Sequence, residues 1–222
     1  MTRIRRHRRL SESESAREMR VQDLAEAQDL SHCFGQSGDI WLEIGTGKDP
    51  HILERSLRHP RDLHLGIEHT RKKVESMLRK AEALGCKGNL KLLHADAFVV
   101  IQECFPANSI SGVFLLFPDP WPKVRHAQRR LLQTSFLSLV VEKLRFGASL
   151  EIRTDESEYA EQAHQALQEI GSLENLMDGK PWLNTPIDQE LHVQTLFEHR
   201  FRKEKKPIHY FYLRKKEDDR LS

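Results

Sequence analysis

The sequence contains little cysteine and no long apolar run. Its three cysteines, Cys33, Cys86 and Cys104, are widely spaced and form no C-x-x-C pair. An odd, scattered set argues against a disulfide framework and a structural zinc site, and it indicates a reducing compartment. No stretch approaches the roughly 18 apolar residues that a membrane span requires, and the Arg-rich start lacks the apolar core of a signal peptide. The 12 histidines form no H-E-x-x-H or similar cluster. We therefore expect a cytoplasmic protein without a membrane span or a bound metal.

The charges are nearly balanced but unevenly placed. The chain has 35 Lys and Arg against 33 Asp and Glu, a formal net charge of +2. Residues 1–20, 123–130 and 198–216 hold 7, 4 and 8 of the cations but only 3, 0 and 2 of the acids. The rest of the chain is therefore acidic. This pattern is expected if the three basic segments converge on a phosphate backbone, although basic runs more commonly serve only to solubilise a surface.

Short apolar runs alternate with helical patterns along most of the chain. The strand-like runs cover residues 40–44, 63–67, 90–94, 110–117 and 149–153. Apolar residues at helical spacing cover 71–84, 129–144 and 159–170. Strands that alternate with helices predict an α/β fold with a mostly parallel, doubly wound sheet. Two further runs, 191–197 and 208–213, lack a helix-length connection and predict an antiparallel strand pair at a sheet edge.

Acidic residues lie at the ends of three successive predicted strands, and a G-x-G turn follows the first strand. Glu43 lies near the end of that strand, just before Gly45-Thr46-Gly47, where two glycines let the backbone approach a ligand. Glu68 ends the second strand, and Asp96 follows the third. The third glycine of a dinucleotide fingerprint is missing, because Asp49-Pro50 occupies that region, and three acids suit pyrophosphate poorly. They favour a cofactor with an adenosine and a positive charge, such as S-adenosylmethionine. The alternative is that the acids only cap the following helices.

A proline-rich acidic loop leads from the fourth predicted strand into a basic segment. Residues 117–130 read FPDPWPKVRHAQRR. Three prolines fix their own φ angles and restrict the residues before them, so Asp119 and Trp121 should be extended. Ligands of open α/β sheets bind just past the carboxyl ends of strands, which is where Asp119 falls. We predict that Asp119 is a site carboxylate beside a polyanion-binding surface and that Trp121 packs against the sheet; a solvated turn is the alternative.

In combination and order, these motifs resemble one enzyme family. The matching segments are LEIGTGK (42–48), GIE (66–68), DA (96–97), FPDPWPK (117–123) with RH (125–126) and RR (129–130), TD (154–155) with YAE (159–161), and TLFE (195–198). They resemble the bacterial tRNA (guanine-N7-)-methyltransferases, and the PDPWPK-x-RH segment is far more specific than G-x-G alone. The resemblance implies a Rossmann-like class I methyltransferase that moves a methyl group from S-adenosylmethionine to N7 of guanosine 46 in the tRNA variable loop.

The resemblance also implies residue roles and a domain layout. The cofactor-binding positions of the family fall on Glu43, Gly45, Gly47, Glu68, Asp96 and Asp119, and Asp119 is also its catalytic position. Its substrate-binding positions fall on Lys123, Asp155, Thr195, Leu196, Phe197 and Glu198, and its RNA-binding positions on Arg125, His126, Arg129 and Arg130. We expect a monomer that binds tRNA, with a basic arm at 1–38, the methyltransferase domain at 39–216 and a charged tail at 217–222.

The sequence departs from the family pattern at three places. Asp49 replaces a frequent glycine, Leu196 stands where lysine is common, and His192-Val193 replaces a common Arg-Pro. The first change would alter the pocket for the methionine part of the cofactor, and the others would weaken RNA contacts. Two alternatives therefore stay open. One is an RNA-binding protein that has lost cofactor binding, and the other is a small-molecule methyltransferase, which would leave the basic segments unexplained.

Overall fold

The computed structural model describes residues 10–26, 30–121 and 130–217, and these residues contain one eight-stranded sheet. The strands are β1 (Glu18–Met19), β2 (Ile40–Ile44), β3 (Leu63–Glu68), β4 (Leu90–His94), β5 (Ile110–Leu116), β6 (Leu144–Thr154), β7 (Leu173–Asn175) and β8 (His209–Lys215). Their order across the sheet is β1-β4-β3-β2-β5-β6-β8-β7. All pairings among β1 to β6 are parallel, whereas β8 is antiparallel to both β6 and β7. The predicted α/β fold, mostly parallel with antiparallel C-terminal strands, is confirmed.

Eight α-helices connect and cover these strands in the described ranges. They are α1 (Glu12–Ala16), α2 (Val21–Ala25), α3 (His51–Arg58), α4 (Arg71–Ala83), α5 (Ala97–Cys104), α6 (Thr134–Lys143), α7 (Ser157–Gln168) and α8 (Leu196–Lys203). In α4 the residues Val74, Met77, Leu78 and Ala81 follow the three-and-four spacing of one helix face, and all four are buried. None of the described helices is both long and apolar enough to span a membrane.

The arrangement of the central strands determines where a ligand site can form. Every residue of β3 and β5 is buried, because apolar clusters pack on both faces of the sheet. The chain moves outward from β2 in one direction through β3 and β4, and in the other through β5 and β6. Ligands of open α/β sheets bind at this reversal, outside the carboxyl ends of the strands. The two strands at the reversal also approach closely, because Trp41 of β2 lies against Gly112 of β5, where a Cβ would meet its ring at 2.2 Å.

The sequence-based prediction for residues 191–197 is wrong. Residues 191–195 are irregular, and Leu196 begins α8 instead of continuing a strand. Thr195 is the N-cap of α8, and it forms a capping box in which its side chain and that of Glu198 each bind the other's backbone amide. The edge partner of β8 is therefore β7, which was not predicted.

Residues 18–19 lie within the segment that the sequence predicts to be a basic arm. They form β1, which pairs in parallel with β4 at the edge of the sheet. Arg71 at the start of α4 forms an ion pair with Glu18. This part of the N-terminal segment is thus joined to the sheet by both backbone and side-chain contacts.

Candidate active site

A cleft of about 560 Å³ opens beyond the carboxyl ends of β2, β3, β4 and β5. Its position coincides with the reversal of strand order between β2 and β5. The cleft brings together all six predicted cofactor-binding residues, which are Glu43, Gly45, Gly47, Glu68, Asp96 and Asp119. Thr195 and Phe197 line the same cleft from the start of α8, and Arg130 lines it from the segment before α6.

The G-x-G turn after β2 depends on the conformational freedom of glycine. Gly45 and Gly47 have φ angles of +77° and +60°, which residues other than glycine rarely adopt. The amide of Gly45 donates to the carbonyl of Ile67 at 2.8 Å, and the amide of Gly47 donates to Oε2 of Glu68 at 2.9 Å. The acid at the end of β3 therefore holds the turn that follows β2.

Glu68 and Asp96 also serve as acceptors for the helices that follow them. The other oxygen of Glu68 accepts the amide of Thr70, the N-cap residue of α4, at 2.8 Å. Oδ1 of Asp96 accepts the amides of Phe98 and Val99 at the start of α5, at 2.9 and 3.3 Å. The helix-capping alternative is thus realised for Asp96. Asp96 is nonetheless exposed to the cleft, and its Oδ2 accepts no hydrogen bond from the described residues.

Glu43 lies buried at the base of the cleft. Its Oε2 is 2.7 Å from Nδ1 of His51, the first residue of α3. Burial, together with the neighbouring charge of Asp49, raises the pKa of Glu43 well above its ordinary value. Burial also lowers the pKa of His51 well below its usual range, so the imidazole is neutral near pH 7. The pair is therefore a buried hydrogen bond that orients the Glu43 carboxyl group.

The loop after β5 takes a tighter path than its prolines predict. Phe117 and Trp121 both have positive φ angles, +50° and +42°. The prediction that Trp121 is extended is therefore wrong. The turn brings Phe117 against Phe197 and Phe201 of α8, with ring centroids 6.0 and 5.5 Å apart, and leaves Asp119 exposed at the cleft. Residues other than glycine rarely adopt such backbone conformations, because each costs about 1 kcal/mol or more. Residues in these conformations tend to cluster at functional sites.

Arg130 closes this loop from its other side. Its Nε and one terminal nitrogen donate to the carbonyl of Trp121 at 3.3 and 3.1 Å, and its other terminal nitrogen donates to Oε1 of Gln162 on α7 at 2.6 Å. In this arrangement the guanidinium group binds the protein's own loop. The other predicted RNA-binding residues, Arg125, His126 and Arg129, and the predicted substrate residue Lys123, lie outside the described residues.

The start of α8 forms another wall of the cleft. Thr195 caps the helix by accepting the amide of Glu198 at 3.0 Å. The amide of Leu196 donates to Oδ2 of Asp49 at 2.6 Å, although the two residues are 147 positions apart. Phe197 is 42% exposed and presents its ring to the cleft, whereas the 56% exposed side chain of Leu196 does not line it. Sequence reasoning missed the contact of Asp49, because no local pattern signals it.

Glu198 is fully buried beneath this wall. Its carboxylate accepts hydrogen bonds from the Tyr210 hydroxyl at 2.6 Å, from Arg153 at 3.0 Å and from Arg202 at 3.0 Å. With all these donors satisfied within the protein, the side chain anchors α8 to β6 and β8. Asp155, at the end of β6, lies outside the cleft lining, and its carboxylate is 3.7 Å from Nζ of Lys206.

Comparisons with known proteins agree with this geometry. A sequence model of a family described as "Putative methyltransferase" matches residues 37–211. The tRNA (guanine-N(7)-)-methyltransferases of Alkalilimnicola ehrlichii and Idiomarina loihiensis are 35% and 34% identical to this chain, over 85% and 78% of its length and 78% and 69% of theirs. Among solved structures, the 16S rRNA methyltransferase KamB has a TM-score of 0.62 at 15% identity, over 86% of this chain and 94% of that one, which shows a shared fold. The chain therefore belongs to the tRNA (guanine-N(7)-)-methyltransferase family.

Proposed function

We propose that this protein transfers the methyl group of S-adenosylmethionine to N7 of guanosine 46 in the variable loop of tRNA. The observation that carries the proposal is the gathering of Glu43, Glu68, Asp96 and Asp119 around one cleft. Relatives about a third identical, over most of their length, are named for methyl transfer to N7 of guanine in tRNA. A protein with this activity would work in the cytoplasm, and we expect it to act as a monomer.

The cleft suits this cofactor in its shape and its donor set. The turn at Gly45 and Gly47 brings backbone close to the cleft without side chains in between. Glu68, at the end of β3, is the proposed acceptor for the ribose hydroxyls, and Asp96 presents a further carboxylate oxygen to the cofactor. The rings of Phe98 and Phe136, stacked with centroids 6.1 Å apart, give an aromatic wall for a purine. When bound, S-adenosylmethionine supplies a methyl group made electrophilic by its sulfonium charge. The carboxylates around the cleft would stabilise that charge.

The chemistry places modest demands on the chain's own residues. N7 of guanine already presents a lone pair, so no residue has to remove a proton before attack. The protein must hold the base in line and balance the charge that arrives on the purine. Asp119 is the proposed catalytic residue, because it is an exposed carboxylate at the end of β5 on a loop held by Arg130.

The start of α8 is the proposed wall for the guanine. Thr195 and Phe197 line the cleft there, and Phe197 packs with Phe117 at the root of the Asp119 loop. Lys123, Asp155 and Leu196 stay predicted substrate contacts, and Arg125, His126, Arg129 and Arg130 stay predicted RNA contacts. Because Glu198 is buried and already hydrogen-bonded, we propose that it acts by holding this wall in place.

Incubation of the purified protein with unmodified tRNA and methyl-labelled S-adenosylmethionine tests the proposal. Label should appear as 7-methylguanosine at position 46, and a tRNA with adenosine at that position should stay unlabelled. Calorimetry with S-adenosylhomocysteine then separates this function from RNA binding alone, since the latter predicts no cofactor affinity. Absence of label in every tRNA at saturating cofactor would refute the proposal.

A further inference from the structure

Asp49 connects two parts of the cleft that are far apart in the chain. It follows the glycine turn after β2, and the residue is 5% exposed. Oδ1 accepts the amide of His51 at 3.1 Å, within its own segment. Oδ2 accepts the amide of Leu196 at 2.6 Å. One side chain thus binds the cofactor-side turn and the first turn of α8 together.

The first turn of α8 depends on this contact for its amide partners. The first amides of a helix have no partner within the helix and must find acceptors elsewhere. Thr195 provides one for Glu198, and Asp49 provides one for Leu196. A negative charge is also favourable at the positive end of a helix. Glycine, the residue frequent at position 49 in the family that the sequence resembles, could supply neither the acceptor nor the charge.

The rest of α8 has a separate anchor. Glu198 is held by Tyr210 and Arg153, and Phe201 is buried on the same helix. Loss of the Asp49 contact should therefore release the first turn of α8 without unfolding the helix. This separation makes the contact testable in a folded protein.

We propose that Asp49 is a positioning residue that couples the cofactor side of the cleft to the wall formed by Thr195 and Phe197. The proposal rests on the function proposed above, in which the first side holds the cofactor and the second holds the guanine. A ligand that orders the turn at residues 45–49 also orders the start of α8 through this contact. Cofactor and tRNA should then bind with positive cooperativity, and each should tighten the other by the same factor.

The test measures that factor by calorimetry with S-adenosylhomocysteine and unmodified tRNA as ligands. The affinity for each is determined with and without a saturating amount of the other. In the wild-type protein we expect saturating tRNA to raise the affinity for S-adenosylhomocysteine by about 5-fold or more. Saturating S-adenosylhomocysteine should raise the affinity for tRNA by the same factor. In Asp49→Gly the factor should fall to within about twofold of 1. Asp49→Asn keeps an oxygen acceptor at the same place and should restore part of the coupling.

Asp188 supplies a matched control. Its Oδ1 also accepts two backbone amides, of Glu190 and Leu191 at 2.9 and 3.0 Å, but the residue does not line the cleft. Asp188→Gly should leave the coupling factor at its wild-type value. The inference is wrong if the wild-type protein binds both ligands independently, or if Asp49→Gly keeps the wild-type factor. A wild-type protein that fails to bind either ligand would instead refute the proposed function, and the inference would fall with it.

Discussion

Replacement of Glu198 by glutamine should destabilise the protein strongly, although the two side chains have nearly the same shape. The carboxylate is fully buried and accepts hydrogen bonds from Tyr210, Arg153 and Arg202. Nε2 of His192 also lies 2.8 Å from Oε1. A glutamine would remove the negative charge of the carboxylate that these donors contact, and it would replace one acceptor oxygen by a donor nitrogen. Arg153, which is 1% exposed, would keep its ion pair with Glu151 and lose its ion pair with residue 198.

The size of the loss follows from the pKa of Glu198. Burial alone would raise this pKa, but hydrogen bonds from His192 and Tyr210 and the charge of Arg153 lower it from 4.5 to about 2. That difference corresponds to about 3 kcal/mol of stability at neutral pH, at about 1.4 kcal/mol per unit. Because the pKa is depressed in the folded protein, this contribution is complete above the unfolded-state pKa and is lost as the pH falls towards the folded-state value. For a chain of this length we expect the melting temperature to fall by about 6–12 °C.

Urea unfolding at two pH values measures the effect. The free energy of unfolding of Glu198→Gln should lie about 3 kcal/mol below that of the wild type at about pH 7, and about 2 kcal/mol below it at about pH 3.5. Glu174→Gln is the matched control, since Glu174 pairs with Arg214 at 2.9 Å on an exposed part of β7 and β8. An exposed pair contributes little, so this variant should unfold like the wild type. Equal stability of Glu198→Gln and wild type at neutral pH, or a difference that does not change with pH, would refute the reasoning.

Three further substitutions test the cleft and the sheet. Asp119→Asn keeps the shape of the side chain but removes its charge, so turnover should fall by about 100-fold or more while tRNA affinity stays within about twofold; equal losses of both would argue against a catalytic role. Gly112→Ala would place a Cβ 2.2 Å from the Trp41 ring. It should cost about 1–3 kcal/mol of stability, and an unchanged urea midpoint would contradict this. Gly47→Ala would have to adopt a φ of +60°, whereas Gly85, with a φ of +71°, lies outside the cleft. We expect about a tenfold loss of S-adenosylhomocysteine affinity for Gly47→Ala and none for Gly85→Ala, and similar losses in both would contradict a direct role for the turn.

The elements that the sequence predicts best are the strands that are covered on both faces. β2 and β4 begin and end where their apolar runs do, and β3 and β5 differ from prediction by one residue at one end. Strands of this kind read as continuous apolar runs, so their signal is local. The cleft was predictable for a related reason, because the carboxyl ends of neighbouring parallel strands meet at one edge of the sheet.

The features that sequence reasoning missed depend on partners far away in the chain. The sequence predicts a strand at residues 191–197, but Leu196 begins a helix whose first amide is bound by Asp49, 147 positions earlier. Trp121 adopts a positive φ, and its own carbonyl accepts two hydrogen bonds from Arg130. Neither contact leaves a pattern in the nearby residues. Proline rules alone therefore predicted the wrong conformation for Trp121.

The charges around the cleft constrain how a tRNA would approach it. In the described part of the lining, two basic side chains, Lys73 and Arg130, face the acids Asp49, Glu68, Asp96 and Asp119. Such a surface repels phosphate groups, so under the proposed function only the base enters the cleft and the backbone lies on cations outside it. α8 begins at the cleft and carries Arg200, Arg202 and Lys203 in its last turn, which is a suitable place for that backbone. The same acidic lining favours a cofactor with a positive charge over its neutral product. S-adenosylmethionine should therefore bind more tightly than S-adenosylhomocysteine, by a margin that narrows as salt screens the carboxylates.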